Sequence, residues 1–294
     1  MKVNLHPNPG AFGGIEPFPE YATARYVVLP VPFDLTSTWL KGADRGPDAI
    51  LEASANMELY DIPTGIEAWR DGIVTLAPVD RFTSAEDLVE RVDETATALL
   101  QDGKTVIGIG GNHSVAIGLI RAHHRCFDNL SVLQFDAHSD TRDEYENSRF
   151  SHACVMARAA ELGDYVQVGI RSMEAGELTL LQPVRTFFAH QIRDRVDFIP
   201  RVVERLTENV YVTIDLDCFD PALVPSTGTP EPGGLHWYQV LDTLTAVCRA
   251  KNVVGFDVTE LAPNPSNKAP DFLAAKLIYQ FISLLTAKRK GLLS

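Results

Sequence analysis

Eight short apolar runs, rich in Val, Ile and aromatic residues, recur along the chain, most of them separated by amphipathic stretches. They fall at residues 25–31, 72–76, 104–109, 131–135, 165–170, 184–188, 210–215 and 252–257. Continuous apolar runs of this length read as strands covered on both faces. Segments 84–100, 114–125, 151–162, 198–207, 236–250 and 270–285 read as helices. In the first, Leu88, Val92, Ala96, Leu99 and Leu100 recur at helical spacing behind Ser84, a suitable N-cap. This alternation predicts a three-layer α/β/α fold on a mainly parallel sheet. A closed (β/α)8 barrel is the alternative. Either architecture gathers its functional loops at the carboxyl ends of the strands. No linker or fixed-period repeat divides the 294 residues, so one domain over 1–294 is expected.

Three strand ends carry the chemistry. Asp136-Ala137-His138-Ser139-Asp140 follows the run 131–135, and Asp215-Leu216-Asp217 closes the run 210–215. In extended chain, alternate residues point the same way. Asp136, His138 and Asp140 therefore project together, as do Asp215 and Asp217. Gly110-Gly111-Asn112-His113-Ser114 follows the run 104–109 and brings His113 to a third strand end. Carboxylates gathered in this way repel one another and lose hydration, a cost that cations between them remove. Alone, His113 reads as a hydrogen bonder at a helix start, and Asp215 with Asp217 as strand-end caps. Taken together, His113, Asp136, His138, Asp140, Asp215 and Asp217 form a ligand set suited to two divalent ions. Its oxygen-rich, thiolate-free character favours Mn²⁺ over Zn²⁺ and leaves Ni²⁺ and Co²⁺ open.

Charge narrows the partners. With 39 acidic and 26 basic residues the net charge is -13, which disfavours nucleic acid. A cationic small substrate fits better, although acidity alone is explained by solubility. Residues 1–14 hold no apolar leader core, and no run approaches the ~20 apolar residues of a membrane span. Cys126, Cys154, Cys218 and Cys248 form no CxxC pair, so reduced thiols and a cytoplasmic location are expected. Lys288-Arg289-Lys290 reads as a helix C-terminus. Two long loops, 32–47 and 218–235, suggest function. The second follows directly on Asp217 and reads as a wall of the site, with Trp39 of the first at its outer edge.

Gly-Gly-Asn-His-Ser, Phe-Asp-Ala-His-Ser-Asp and Asp-Leu-Asp-Cys-Phe-Asp-Pro-Ala, in this order over residues 110–222, resemble the signatures of the arginase/agmatinase (ureohydrolase) family. Asp257-Val258-Thr259-Glu260 resembles the family's later acidic motif, and Gly42-Ala43-Asp44-Arg45-Gly46-Pro47 its upstream stretch. The resemblance implies an eight-stranded parallel sheet and two manganese ions in a homo-oligomer, trimer or hexamer. One ion would take His113, Asp136, Asp140 and Asp215; the other would take Asp136, His138, Asp215 and Asp217. Asn112 departs from the acid that many members carry before the histidine, which puts metal affinity in question. The implied reaction is hydrolysis of a guanidino group to urea and an amine. In it Asp140 shuttles a proton to the leaving amine, Glu260 holds the guanidinium in plane and His152 exchanges protons with solvent.

Substrate choice rests on Thr141-Arg142-Asp143-Glu144-Tyr145-Glu146. Asp143, Glu144 and Glu146 would repel a substrate carboxylate and attract a second cation; the plainer reading is a solvated loop. Agmatine, giving putrescine, is therefore the expected substrate. Aminopropylagmatine, arginine or another guanidino compound is the alternative, and a non-catalytic metal-bound binding protein a more distant one.

Overall fold

The computed structural model describes residues 4–6 and 10–293. Residues 1–3 and 7–9, part of the segment expected to lack a leader, lie outside it. All eight apolar runs are strands: β1 Tyr26–Val31, β2 Ile73–Thr75, β3 Thr105–Gly110, β4 Leu130–Phe135, β5 Asp164–Ile170, β6 Thr186–Phe188, β7 Asn209–Asp215 and β8 Asn252–Thr259. They pair in parallel throughout, in the order β2-β1-β3-β8-β7-β4-β5-β6. The sheet is open, with β2 and β6 at its edges, which excludes the closed-barrel alternative.

Alternation along each strand builds two cores. Tyr26 and Val28 of β1 face one, and Val27, Leu29 and Val31 the other. On β7, Val210, Val212 and Ile214 oppose Tyr211 in the same way. The second core is closed by α2 Ala85–Gln101, α3 Val115–Cys126 and α4 Val155–Ala160. The first is closed by α1 Gly46–Ser54, α6 Ile199–Arg205, α7 Trp237–Ala250 and α8 Ala269–Arg289, with the short α5 Ala189–Ile192 at its margin. Ser84 caps α2 by accepting the Asp87 N–H. The segment 151–162 begins as a 3-10 turn, His152–Cys154, before α4.

The sequence reading had no counterpart for α1. Gly46-Pro47, at the end of the expected loop 32–47, starts this helix instead, because proline's fixed φ and missing N–H suit a first turn. At the other end, Arg289 and Lys290 pair with Asp71. Cys126 is exposed, the other three cysteines are buried, and all four are free. Among the described residues no helix is long and apolar enough to cross a membrane.

The topology opens the site. β3 and β4 lead into α3 and α4 on one face of the sheet, whereas β7 and β8 lead toward α7 and α8 on the other. The order β3-β8-β7-β4 sets these strands side by side. Their carboxyl-end loops part above and below the sheet and leave a crevice, as at the switch points of doubly wound folds.

Candidate metal centre and active site

Gly110-Gly111 turns the chain out of β3 and sets His113 over the crevice. A Cβ on Gly111 would lie 2.0 Å from the Phe33 carbonyl oxygen, so only glycine passes here. The His113 N–H donates to Glu260 Oε1 at 2.7 Å, tying β3 to the end of β8. His113 Nδ1 meets Asp140 Oδ2 at 3.0 Å, Asp136 Oδ2 at 3.1 Å and Asp215 Oδ2 at 3.5 Å. It is nevertheless buried without an aligned hydrogen bond. A nitrogen facing three carboxylate oxygens in this way suits a cation shared among them.

The second grouping lies alongside. His138 Nδ1 is 2.9 Å from Asp217 Oδ2 and 3.6 Å from Asp136 Oδ1. Ligand atoms of His113, Asp136 and Asp140 cluster within 4.8 Å, and so do those of Asp136, His138 and Asp217. Asp136 is common to both. Asp215 Oδ1 accepts the Asp217 N–H at 2.8 Å, and Asp217 Oδ1 accepts that of Ala137 at 3.0 Å. The six candidate ligands thus stand together at three strand ends, though not all by extended alternation: Asp140 has left-handed backbone and Asp217 lies in a 3-10 turn, Leu216–Cys218. The donor set, rich in carboxylate oxygen with two imidazoles and no thiolate, fits divalent ions.

Protonation reflects the crowding. Burial raises Asp215 well above the carboxylate range, helped by Asp217 and Asp136. Burial and the Asp136 charge push Asp140 up to about 7. Burial works to raise Asp136 too, but His113 and His138 outweigh it and hold it low. Burial would lower His138, yet Asp217 and Asp136 push it up to about 12. Without a metal, the cluster balances its charge with protons.

Backbone strain marks the same place. Asp140 and Glu260 have φ of 52° and 68°, the left-handed region that side chains rarely adopt. The Asp140 carbonyl accepts the N–H groups of Met156 and Ala157 at the start of α4, and the Glu260 N–H donates to Gly111 O at 2.7 Å. These bonds fix both residues with their carboxyl groups at the floor of a cavity of about 340 Å³.

His152 and Glu260 line that cavity with Asp140 and His138. Burial and the nearby His113 and His138 push His152 down to about 4, so it is neutral at physiological pH. Its ring meets the Tyr145 ring edge-on at 5.8 Å. Burial pushes Glu260 up to about 8, against the N–H and charge of His113. Asn112 turns away from the ligands: its Nδ2 donates to Thr36 Oγ1 at 2.7 Å and Ser37 Oγ at 3.2 Å, fastening the loop that carries Trp39. Trp39 lies at the cavity mouth, 74% exposed.

The acidic run after Asp140 is arranged otherwise than expected. Asp143 turns to Arg149 and Arg158, each at 2.6 Å, and faces a shallower cleft with Met156 and Tyr165. Glu144 and Glu146 are exposed and do not line the cavity. The buried Arg158 guanidinium, with Arg149, holds Asp143. The acids that do line the wall are Glu174 and Glu177, just past the end of β5. Glu177 is buried and accepts from Ser139 Oγ at 2.5 Å and from the Glu174 N–H at 2.7 Å. Arg142 lies 3.5 Å from Glu174 and 3.6 Å from Glu177 and stacks on Tyr145. The strand-end rule that singles out Asp136 and Asp215 applies equally after Ile170, where no histidine accompanies the acids.

Arg171 secures the opposite wall. Its guanidinium donates to the carbonyls of Asp217 at 2.6 Å, Glu231 at 2.9 Å and Pro232 at 3.2 Å. These bonds fold the Pro/Gly-rich loop 218–235 back against the strand end that supplies Asp217.

The geometry has counterparts. The family model described as "Arginase family" matches residues 24–283. The N(1)-aminopropylagmatine ureohydrolase of Synechocystis sp. is 37% identical, the match covering 93% of each chain. That of Thermus thermophilus is 41% identical over 90% of this chain and 91% of its own. The crystal structure of the agmatine ureohydrolase of Thermoplasma volcanium superposes with a TM-score of 0.84 at 32% identity, covering 93% of this chain and 94% of that one.

Proposed function

Because the chain belongs to the arginase family, we propose that it hydrolyses the guanidino group of agmatine, releasing urea and putrescine. The observation that carries this reading is the pair of Asp/His groups sharing Asp136 at the floor of a cavity whose walls bear Glu260, Glu174 and Glu177. A second reading, N1-aminopropylagmatine as substrate, is favoured by the names of the two relatives at 37% and 41% identity. Both substrates are extended cations, and an acidic wall suits either.

His113, Asp136 and Asp140 would hold one ion with Asp215, and Asp136, His138 and Asp217 the other. Manganese fits the oxygen-rich donors. Two such ions, when bound, would supply hydroxide at neutral pH as the nucleophile for the guanidino carbon. The remaining tasks belong to side chains. Glu260 Oε1 is engaged by His113, so its other oxygen is left to pair with the guanidinium. Gly228 keeps the approach open: a Cβ there would lie 3.7 Å from Glu260 Oε2. A bound cation would draw the raised Glu260 back to its carboxylate form. Asp140, beside the scissile group, is placed to pass a proton to the leaving amine, and His152, on the cavity wall, to exchange protons with solvent. Glu174, on the outer wall, is the group to meet a distal ammonium.

The test is urea release from agmatine, N1-aminopropylagmatine and arginine by protein incubated with Mn²⁺. Urea from arginine with none from the two decarboxylated substrates would overturn the reading.

A further inference from the structure

Asp257 opens the Asp-Val-Thr-Glu segment but takes no place in the cavity. It sits inside β8, fully buried, with its side chain on the α3 side of the sheet. A buried carboxylate needs donors, and Asp257 has two hydroxyls from the adjacent strand. Tyr211 donates to Oδ2 at 2.6 Å and Thr213 donates to Oδ1 at 2.8 Å. The register sets Thr213 beside Asp257, and Gly108 of β3 beside it on the other side. A Cβ on Gly108 would lie 2.9 Å from that of Asp257 and 2.5 Å from Leu119, so the glycine makes the space the carboxylate occupies.

The consequence lies at the next bond. A hydroxyl has one proton to give, and Thr213 gives its proton to Asp257. Toward His113 Nε2, 2.9 Å away, it can therefore only accept. The imidazole must carry a proton on Nε2, so the neutral ring turns its Nδ1 lone pair toward Asp136, Asp140 and Asp215. A nitrogen that ligates a metal must offer a lone pair, and the bond made by the other nitrogen sets which one does so. His138 differs: its Nε2 lies 3.9 Å from Glu231 at the surface. We propose that Asp257 is a positioning residue that, through Thr213, holds His113 in the tautomer whose Nδ1 can bind a metal ion. Burial lifts the Asp257 pKa to about 6, and the His113 charge and the hydroxyls of Tyr211 and Thr213 work against that rise.

This inference rests on the metal reading of the site, and the experiment separates the two. Mn²⁺ is titrated into the metal-free wild type and into Thr213→Val, Thr213→Ser and Asp257→Asn, with free ion followed by its electron paramagnetic resonance signal. Thr213→Val removes the hydroxyl at nearly constant volume; Asp257→Asn removes the charge and exchanges one of the two acceptor oxygens for a donor. Both should weaken one of the two ions by about 10- to 100-fold and leave the other unchanged, while Thr213→Ser stays close to wild type. A role confined to packing would lower the melting temperature and weaken both ions together. Wild-type affinity in both Thr213→Val and Asp257→Asn would overturn the proposal, and so would a serine variant as weak as the valine one. If Thr213→Val does not fold, Asp257→Asn against Thr213→Ser decides by the same criterion. A wild type that binds no Mn²⁺ would remove the metal reading itself.

Discussion

Glu260 accepts the backbone N–H of His113 at 2.7 Å, so the residue proposed to hold the substrate also anchors the turn that carries a candidate metal ligand. Glu260→Gln keeps an oxygen for that N–H and removes the charge. The variant should retain its metal and lose about 10- to 100-fold in kcat/KM for agmatine, the range expected when a charge-assisted hydrogen bond worth about 1.5–3 kcal/mol is lost. Urea kinetics alongside metal content checks this; a variant short of metal would show that the anchoring role dominates.

Asp136 belongs to both ligand groups, whereas His138 belongs to one. Asp136→Asn should therefore leave the protein with almost no Mn²⁺ after dialysis, and His138→Asn with about one ion per chain. Elemental analysis of the dialysed proteins distinguishes them. Equal retention by the two variants would contradict a shared Asp136.

The raised carboxylates predict an unusual pH dependence of the metal-free protein. Asp140 and Glu260 have folded pKa values of about 7 and about 8, above their ordinary values of 3.8 and 4.5. The folded state therefore binds protons more tightly than the unfolded state. Their contribution is fully present below about 4 and is lost as pH rises through about 7 to 8. Thermal melts in chelator should show the melting temperature falling across this window. Added Mn²⁺, which competes with those protons, should restore it most at the alkaline end. A metal-free protein that grows more stable from pH 5 to 8 would count against the buried cluster as the dominant titrating group.

Position, not exposure, separates the acids near the cavity: Glu174 lines it, whereas Glu144 and Glu146 do not. Glu174→Gln should raise KM for N1-aminopropylagmatine about threefold, a modest change because exposed ion pairs contribute about 1 kcal/mol or less. Glu144→Gln and Glu146→Gln should leave it unchanged. The opposite pattern would return the substrate's second cation to the loop 143–146.

Replacing His152 with Asn should lower kcat by about 100-fold with metal content preserved, since general acid–base groups contribute about 10²–10⁴-fold. Rescue by added imidazole would show that proton exchange, rather than packing against Tyr145, was lost.

Much of this site was legible in the chain because the relevant pattern is local. Apolar runs mark strands, period two fixes which of Asp136, Ala137 and His138 share a face, and a parallel sheet sends every strand end to one rim. What the sequence hid depends on distant partners. Asp143 reads as a free acid until Arg158 is found beside it. Asn112 reads as a neighbour of the metal until Thr36 comes within reach of its amide. Helix α1 was obscured because Gly-Pro serves both turns and helix starts. The acids after β5 lie within the same rule as the other strand ends, but in a segment with no histidine to draw attention to it.

The fan of bonds from Arg171 to the carbonyls of Asp217, Glu231 and Pro232 has a thermodynamic meaning beyond geometry. A long Pro/Gly loop left free would have to be immobilised each time a ligand arrived, weakening every encounter by the entropy of that ordering. Here the ordering is completed during folding. Affinity differences among guanidines then report contacts in a rigid cleft rather than the ease of closing a flap.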